Sequence, residues 1–322
     1  MGRRRAGRHD GMSTPSTPPA ASTASSASAS PAASPPITKT PFVGETYDVM
    51  DGASRWETKI HDHGLVALVD VMPRLCPVGK TADFAIVQAA RVSYGEGTKM
   101  VNEDRGLIRY LARHRHTTPF EMVEFKFHHV MPIFIARQWI RHRTANVNEY
   151  SARYSIVRDR FYRPTPEYIR KQSTTNAQGR GEEVDAATAQ QFLDYLDRSE
   201  ALYAEYEKIA EAGVARETAR IGLPVSAYTE WYWKIDLHNL LHFLSLRMHS
   251  HAQQEIQDYA TAMFELIRPI VPVAAEAFMD YHHHAMHLTR LEIEALQTGQ
   301  PLATTNKREA AEWESKKQRL GL

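Results

Sequence analysis

A single cysteine in 322 residues cannot form an internal disulfide or a cysteine-rich zinc site. A disulfide-stapled secreted scaffold and a zinc ribbon are therefore both excluded, and a reduced, intracellular protein is the expectation. Charge of one sign is also lacking. The 39 Lys and Arg residues against 38 Asp and Glu leave a net charge of +1, without the basic surplus of a general polyanion binder, so no nucleic-acid partner is expected. No apolar run approaches the roughly 20 residues that span a bilayer, and no membrane association is expected. Although the chain carries 16 histidines, it has no HExxH helix or comparable acidic spacing. A metal-dependent hydrolase is disfavoured and no metal site is expected.

Large apolar side chains are nearly missing from residues 1–42, which begin MGRRRAGRHDG and continue as a Ser/Thr/Ala/Pro mixture. Such a segment cannot bury enough surface to offset its ordering entropy, so a disordered extension is expected. Its Arg-rich, acid-poor start has the composition of an organellar transit peptide but no amphipathic apolar face. A cytoplasmic protein is the main expectation and organellar import the minor one.

Residues 43–285 carry globular patterning, and 286–322 read as a charged helical tail, solvated at its end. GLVALVDVM from Gly64 to Met72 predicts a buried strand. Thr81 is expected to cap a helix through Arg91, and a second helix is predicted from Glu103 to Arg113. Val123, Phe125 and Phe127 alternate with Glu124, Lys126 and His128, the period of a strand with one wet face. Pro132 suits the first turn of a helix through IFIARQWIRHR. Lys171 to Gly181 reads as a loop. A long helix is predicted from Val184 to Gly213, with Phe192, Tyr195, Leu196, Tyr203, Tyr206 and Ala210 on one face. A last helical block is predicted from Ser226 to Leu266, interrupted near Asp236, whose carboxylate is placed to cap the segment after it. The fold class is α+β, with a mixed sheet and a helix-rich second half.

The run RHRTANVNEYSARY, from Arg141 to Tyr154, concentrates groups that hold phosphates and heterocycle edges. Basic residues in a last helical turn are common and explain Arg141, His142 and Arg143 on their own. They do not explain Asn146, Asn148, Glu149, Ser151 and Arg153 just after, where guanidinium forks, amides and hydroxyls gather. Gln138 lies three residues before Arg141 and shares its helical face. Ser151 has no adjacent base backed by a third residue, so it reads as a binding group and not a nucleophile. His238 and His242 are one helical turn apart, while Leu237, Leu240, Leu241 and Leu244 form a separate stripe.

Arg-His-Arg, seven residues, then Ser resembles the signature of the flavin-dependent thymidylate synthases, the ThyX family. HRHTTPFE (His114 to Glu121), ARVSY (Ala90 to Tyr94), ARIGLP (Ala219 to Pro224) and DLHNLLHFLSLRMHSHAQQEIQ (Asp236 to Gln257) look like further family blocks in family order. The resemblance spans roughly Gly64 to Leu266. It implies a ThyX-like fold in which FAD, reduced by NADPH, delivers hydride while 5,10-methylenetetrahydrofolate supplies the carbon that turns dUMP into dTMP. No cysteine nucleophile takes part, and the enzyme is a homotetramer with shared active sites.

Carried over by resemblance, Gln138, Arg141, Glu149, Ser151, Ala152, Arg153, Arg220 and Arg247 correspond to the dUMP site. Arg153 and Arg220 are the phosphate candidates. Arg247 is the catalytic candidate, a permanent cation beside the uracil that stabilises negative charge on the ring. The FAD positions are Ser93, His116, Thr118, Arg141, His142, Arg143, Glu149, Asp236, His238 and His242. Some relatives carry Asn-x-Arg and Asn where this chain has Asp236, His238 and His242. Folate and NADPH leave no separate motif. The alternative is a nucleotide- or RNA-binding module without methylation activity, suggested by arginines alternating with aromatics in RHRTANVNEYSARYSIVRDRFYR.

Overall fold

The computed structural model describes residues 38–41, 44–92, 103–174 and 179–322. The chain divides into two units, Met1–Pro41 and Phe42–Leu322, and every element below belongs to the second. Apart from residues 38–41, the extension expected to be disordered lies outside the described residues, as does Ser93. The strands are β1 (Thr46–Asp48), β2 (Trp56–Ile60), β3 (Gly64–Met72), β4 (Leu75–Pro77), β5 (Glu124–Pro132), β6 (Asn146–Glu149), β7 (Arg170–Gln172), β8 (Arg180–Glu183) and β9 (Tyr228–Asp236). The α-helices are α1 (Asp83–Val92), α2 (Asp104–Arg113), α3 (Ile133–Trp139), α4 (Ala186–Glu200), α5 (Leu202–Glu211), α6 (Arg216–Ala219), α7 (Leu237–Arg247), α8 (Gln254–Ile267), α9 (Pro272–Phe278), α10 (Arg290–Thr298) and α11 (Lys307–Leu320). No helix among the described residues is long and apolar enough to cross a membrane.

The architecture is α+β. Five strands pair in the order β2-β3-β5-β9-β6. Each pairing is antiparallel, where the sequence suggested a mixed sheet. The reason lies in the side chains, since an antiparallel sheet can leave one face wet and so carries alternating residues. Phe125 pairs with Ile235, Phe127 with Trp233 and His129 with Trp231. All six are buried on one face, while Lys126 and Tyr232 are exposed on the other.

Strand β9 corrects the helix expected from Ser226 to Asp236. Trp231, Trp233 and Ile235 alternate with Glu230, Tyr232 and Lys234, a period of two that fits a pleated strand and not a helix. The expected interruption at Asp236 is present. Asp236 Oδ1 accepts the amide of Asn239 at 2.9 Å and caps α7, satisfying an amide the helix cannot pair internally.

Against the buried face pack α3, α7 and α8. The Trp139 ring stacks on Phe243 at 4.8 Å and meets Trp231 and Trp233 edge-on at 5.8 and 5.5 Å. At the β2–β3 turn, a Cβ on Gly64 would collide with the Tyr259 hydroxyl and the Ile60 carbonyl, so the hairpin seats against α8 only with glycine there.

The expected long helix is two, α4 and α5, joined at Ala201, whose amide is shared between the Asp197 and Ser199 carbonyls. Gly213 follows α5 at φ +94°. Of the expected apolar face, Leu196, Tyr203 and Tyr206 are buried, whereas Tyr195 is 56% exposed. Part of the Lys171–Gly181 loop is ordered as the β7–β8 pair. The charged tail is not solvated all round, since Trp313 on α11 is 5% exposed. Lys316 reaches both oxygens of Glu292 on α10, at 2.7 and 2.9 Å.

Candidate functional site

Two groups of candidate side chains gather around α7, and a third lies along the edge strand β6. The first lies at the C-terminal end of α7. Helix α3 stops at Trp139, so Arg141, His142 and Arg143 occupy the turn beyond it and not a last helical turn. The amide of His142 bonds back to the Trp139 carbonyl at 2.9 Å, which turns the imidazole toward α7. There Arg247 donates from Nε to His142 Nε2 at 3.0 Å, and from Nη2 to the Gln138 carbonyl at 3.5 Å. Gln138 in turn donates its side-chain amide to Gln253. Partial burial, the Arg247 charge and His242 push the His142 pKa down to about 4. The imidazole is therefore neutral at pH 7 and accepts from the guanidinium. Burial also lowers the Arg247 pKa from its ordinary value, yet a guanidinium stays protonated. Among the described residues Arg247, Arg141 and Arg143 make no ion pair with a carboxylate.

The second group lines a cavity of about 290 Å³. Its apolar floor is Leu111, Ala112, Phe120, Leu241, Ala274 and Phe278, and its polar rim includes Arg115, His116, His238, His242 and His282. His116, His238 and His242 were expected at a cofactor site, and the fold brings them together. Leu241, expected in the core stripe of α7, packs against the core and also lines this cavity beside the imidazoles. Thr117 lines it, while the expected Thr118 begins the 3₁₀ turn Thr118–Met122 next door. Asp236 does not line it, because both carboxylate oxygens serve Asn239. The two groups adjoin through His142 and His242, whose rings are 6.1 Å apart.

The third group follows the edge strand β6. Glu149 accepts from the Thr229 hydroxyl at 2.7 Å. Ser151 Oγ accepts the Arg153 amide at 3.4 Å, and Arg153 Nε donates to Glu217 at 3.0 Å. Ala152 packs with Ala219 on the cluster formed by Val157, Phe161, Tyr203, Tyr206 and Ala227. Glu217, the partner of Arg153, lies three residues before Arg220, the second phosphate candidate. None of these residues lines the His116 cavity.

Among the described residues, no three or more His, Cys, Asp or Glu side chains are placed to hold a metal ion. An apolar floor under a cationic and imidazole rim suits a flat ring joined to an anion. A volume of 290 Å³ is at the low end for small-molecule pockets and admits one end of a dinucleotide. Residue-by-residue reading missed Arg115 and His282. Arg115 follows the helix end at His114, where a left-handed residue is commonly placed. His282 is the first of three consecutive histidines, and no motif around it marks a cofactor ligand.

Residues 74–273 match the family model described as thymidylate synthase complementing protein. The chain belongs to this family. A flavin-dependent thymidylate synthase of Dictyostelium discoideum is 70% identical over 276 residues, covering 86% of this chain and 91% of the relative. One from Wolbachia pipientis wMel is 53% identical over 242 residues, covering 75% and 82%. Among solved structures, the UMP/dUMP methylase PolB of Streptomyces cacaoi bound with 5-Br UMP is 35% identical with a TM-score of 0.61, covering 70% of this chain and 98% of that one. The same protein bound with 5-Br dUMP aligns with the same identity and score. Within the thymidylate synthase complementing protein family match fall all the expected site residues, from Ser93 to Arg247. Phe278 and His282 lie beyond it.

Proposed function

We propose that this chain is a flavin-dependent thymidylate synthase that methylates dUMP reductively to dTMP, with 5,10-methylenetetrahydrofolate as carbon donor and NADPH as reductant. The observation that carries this reading is Arg247, a half-buried cation whose partners are a neutral imidazole and a backbone carbonyl. A buried charge without a counter-charge is costly, and a bound anionic substrate supplies the missing partner. Bound FAD supplies hydride chemistry, and the cavity rimmed by His116, His238 and His242 is where this chain would hold one end of it.

Charge on the uracil ring is the part of the reaction that the protein's own groups stabilise. Arg247 uses Nε and one Nη for its supports, which fixes the planar fork and leaves other N–H donors for the ring. Its positioning precedes the reaction, so little reorganisation is needed when charge develops. Neutral His142 orients Arg247 without cancelling its charge. Arg153 and Arg220 suit the phosphate. The exposed Arg153–Glu217 pair is worth about 0–1 kcal/mol, a small loss when a phosphate replaces the carboxylate with charge-assisted, bidentate bonds.

We also propose the homotetramer with shared sites. The separation of the phosphate candidates from the His116 cavity supports a site completed by another copy, and light scattering on the eluting protein tests it. For the activity, purified protein is expected to carry a flavin absorption band that NADPH bleaches faster when dUMP is present, and to form dTMP once the folate is added. Flavin-free protein that binds oligonucleotides with steep salt dependence and ignores dUMP would support the RNA-binding alternative and sink the proposal.

A further inference from the structure

The polar rim of the His116 cavity includes a guanidinium and an imidazole from separate segments, Arg115 and His282, and neither was expected at the site. Arg115 occupies the residue just past the end of α2. The amide of Arg115 bonds to the Ala112 carbonyl at 3.2 Å and that of His116 to Leu111 at 3.0 Å, the paired bonds of a Schellman turn. The turn requires a left-handed residue, and Arg115 has φ +57°, where glycine is the usual occupant and a side chain adds strain. A strained residue persists where its surroundings hold it, and such residues cluster at ligand sites. Here the strain accompanies a guanidinium at the cavity rim.

His282 comes from the other side. After α9 the helix widens into a π-turn over Met279–His283, with the His284 amide bonded to the Met279 carbonyl at 2.9 Å. Such turns are rare and recur at functional sites. Phe278, 1% exposed, forms part of the cavity floor, and the His282 ring lies 6.2 Å from it at 21°. Buried Asp83 anchors α9 by accepting the Val273 and Ala274 amides at 2.8 and 3.1 Å, so the wall that bears His282 is fixed from α1. Partial burial, the nearby Arg115 charge and His238 hold the His282 pKa below the ordinary imidazole value. The ring is therefore mostly neutral at pH 7, and an anion bound beside it would favour its protonated, donating form.

We propose that Arg115 and His282 form a two-sided clamp on the pyrophosphate of the flavin dinucleotide, with His282 contributed from beyond the family's matched residues. This rests on the reading of the His116 cavity as the place where FAD is held. The anion lies between the guanidinium and the imidazole, and the apolar floor takes the ring at one end of the dinucleotide. Both residues bind cofactor and neither takes part in proton transfer.

The test uses the full-length protein stripped of flavin, titrated with FAD, with ADP and with riboflavin, by flavin fluorescence and calorimetry. Arg115→Gly suits the left-handed turn better than arginine does, so its Tm should hold or rise while FAD and ADP bind about tenfold or more weakly, the loss of one charge-assisted bond. His282→Ala should weaken FAD and ADP similarly, His282→Gln should recover part of the loss, and riboflavin affinity should stay within about twofold because it has no pyrophosphate. Unchanged FAD and ADP affinity in both Arg115→Gly and His282→Ala would overturn the clamp, as would an equal loss for all three probes. Failure of the unsubstituted protein to bind FAD would instead overturn the underlying reading of the cavity.

Discussion

Arg247 donates its Nε proton to His142 Nε2 across 3.0 Å, so the cation at the end of α7 rests on an imidazole and not on a carboxylate. A carboxylate there would compete with the substrate for the guanidinium. The neutral ring fixes its orientation and leaves its charge available to the uracil.

Replacement of Arg247 by Ala is therefore expected to lower dTMP formation by about 10²–10³-fold. Flavin content should change little, because Arg247 lies outside the His116 cavity. Lysine should not restore the rate, since an ammonium lacks the planar fork that bonds His142 and the Gln138 carbonyl together. Rates of dTMP formation beside flavin absorbance per protomer check this. Full activity in Arg247→Ala would remove Arg247 from its catalytic role.

His142 makes a distinct prediction about pH. Its folded pKa is near 4 against 6.5 for an ordinary imidazole. Between those values the unfolded chain binds a proton that the folded one does not, so stability falls as pH drops through that window. His129, fully buried and also held well below its ordinary value by burial, contributes in the same direction. Denaturant unfolding between pH 7 and 4 should show a shallower loss in His142→Asn. An unchanged slope would mean that His142 is not the group responsible.

Much of this arrangement was legible in the sequence because its cues are local. The His238–His242 spacing placed two imidazoles on one side of α7, and Asp236 announced its cap. Strand β9 was misread because aromatic residues crowd Tyr228 to Trp233 and obscure a period of two, and because a capped helix comes directly after it. His282 carried no signal of its own. Its position depends on a π-turn and on Asp83, nearly two hundred residues earlier, holding α9 in place. Thr118 and Asp236 sit beside the cavity without lining it, since adjacency in a motif does not say which side chain turns inward.

Away from the catalytic residues, Glu255 on α8 is 2% exposed and accepts from Tyr162 at 3.1 Å and from Arg180 Nη2 at 2.6 and 2.5 Å. Removing the cation leaves a buried carboxylate with only a hydroxyl partner. Breaking a buried pair in this way costs about 3–5 kcal/mol, and the partly exposed guanidinium, 29% accessible, puts Arg180→Ala at or below the lower end. Adding Glu255→Gln to that variant should recover stability, because a neutral amide needs no counter-charge. Chemical denaturation of the single and double variants measures the coupling, and a double variant less stable than Arg180→Ala alone would contradict it.

Cys76 bears on which kind of thymidylate synthase chemistry the chain can perform. A cysteine nucleophile needs an accessible thiolate beside the pyrimidine. Cys76 is 0% exposed on the short strand β4, and burial pushes its pKa up to about 11. At neutral pH it is a thiol inside the hydrophobic core, and it does not line the His116 cavity. A thiol reagent at pH 8 should leave the native protein unmodified and react only after unfolding. Cys76→Ala should retain turnover and flavin, with a loss of about 1 kcal/mol or somewhat more for the small void. Rapid labelling of the folded protein, or loss of turnover in a folded, flavin-loaded Cys76→Ala, would return the cysteine to the mechanism.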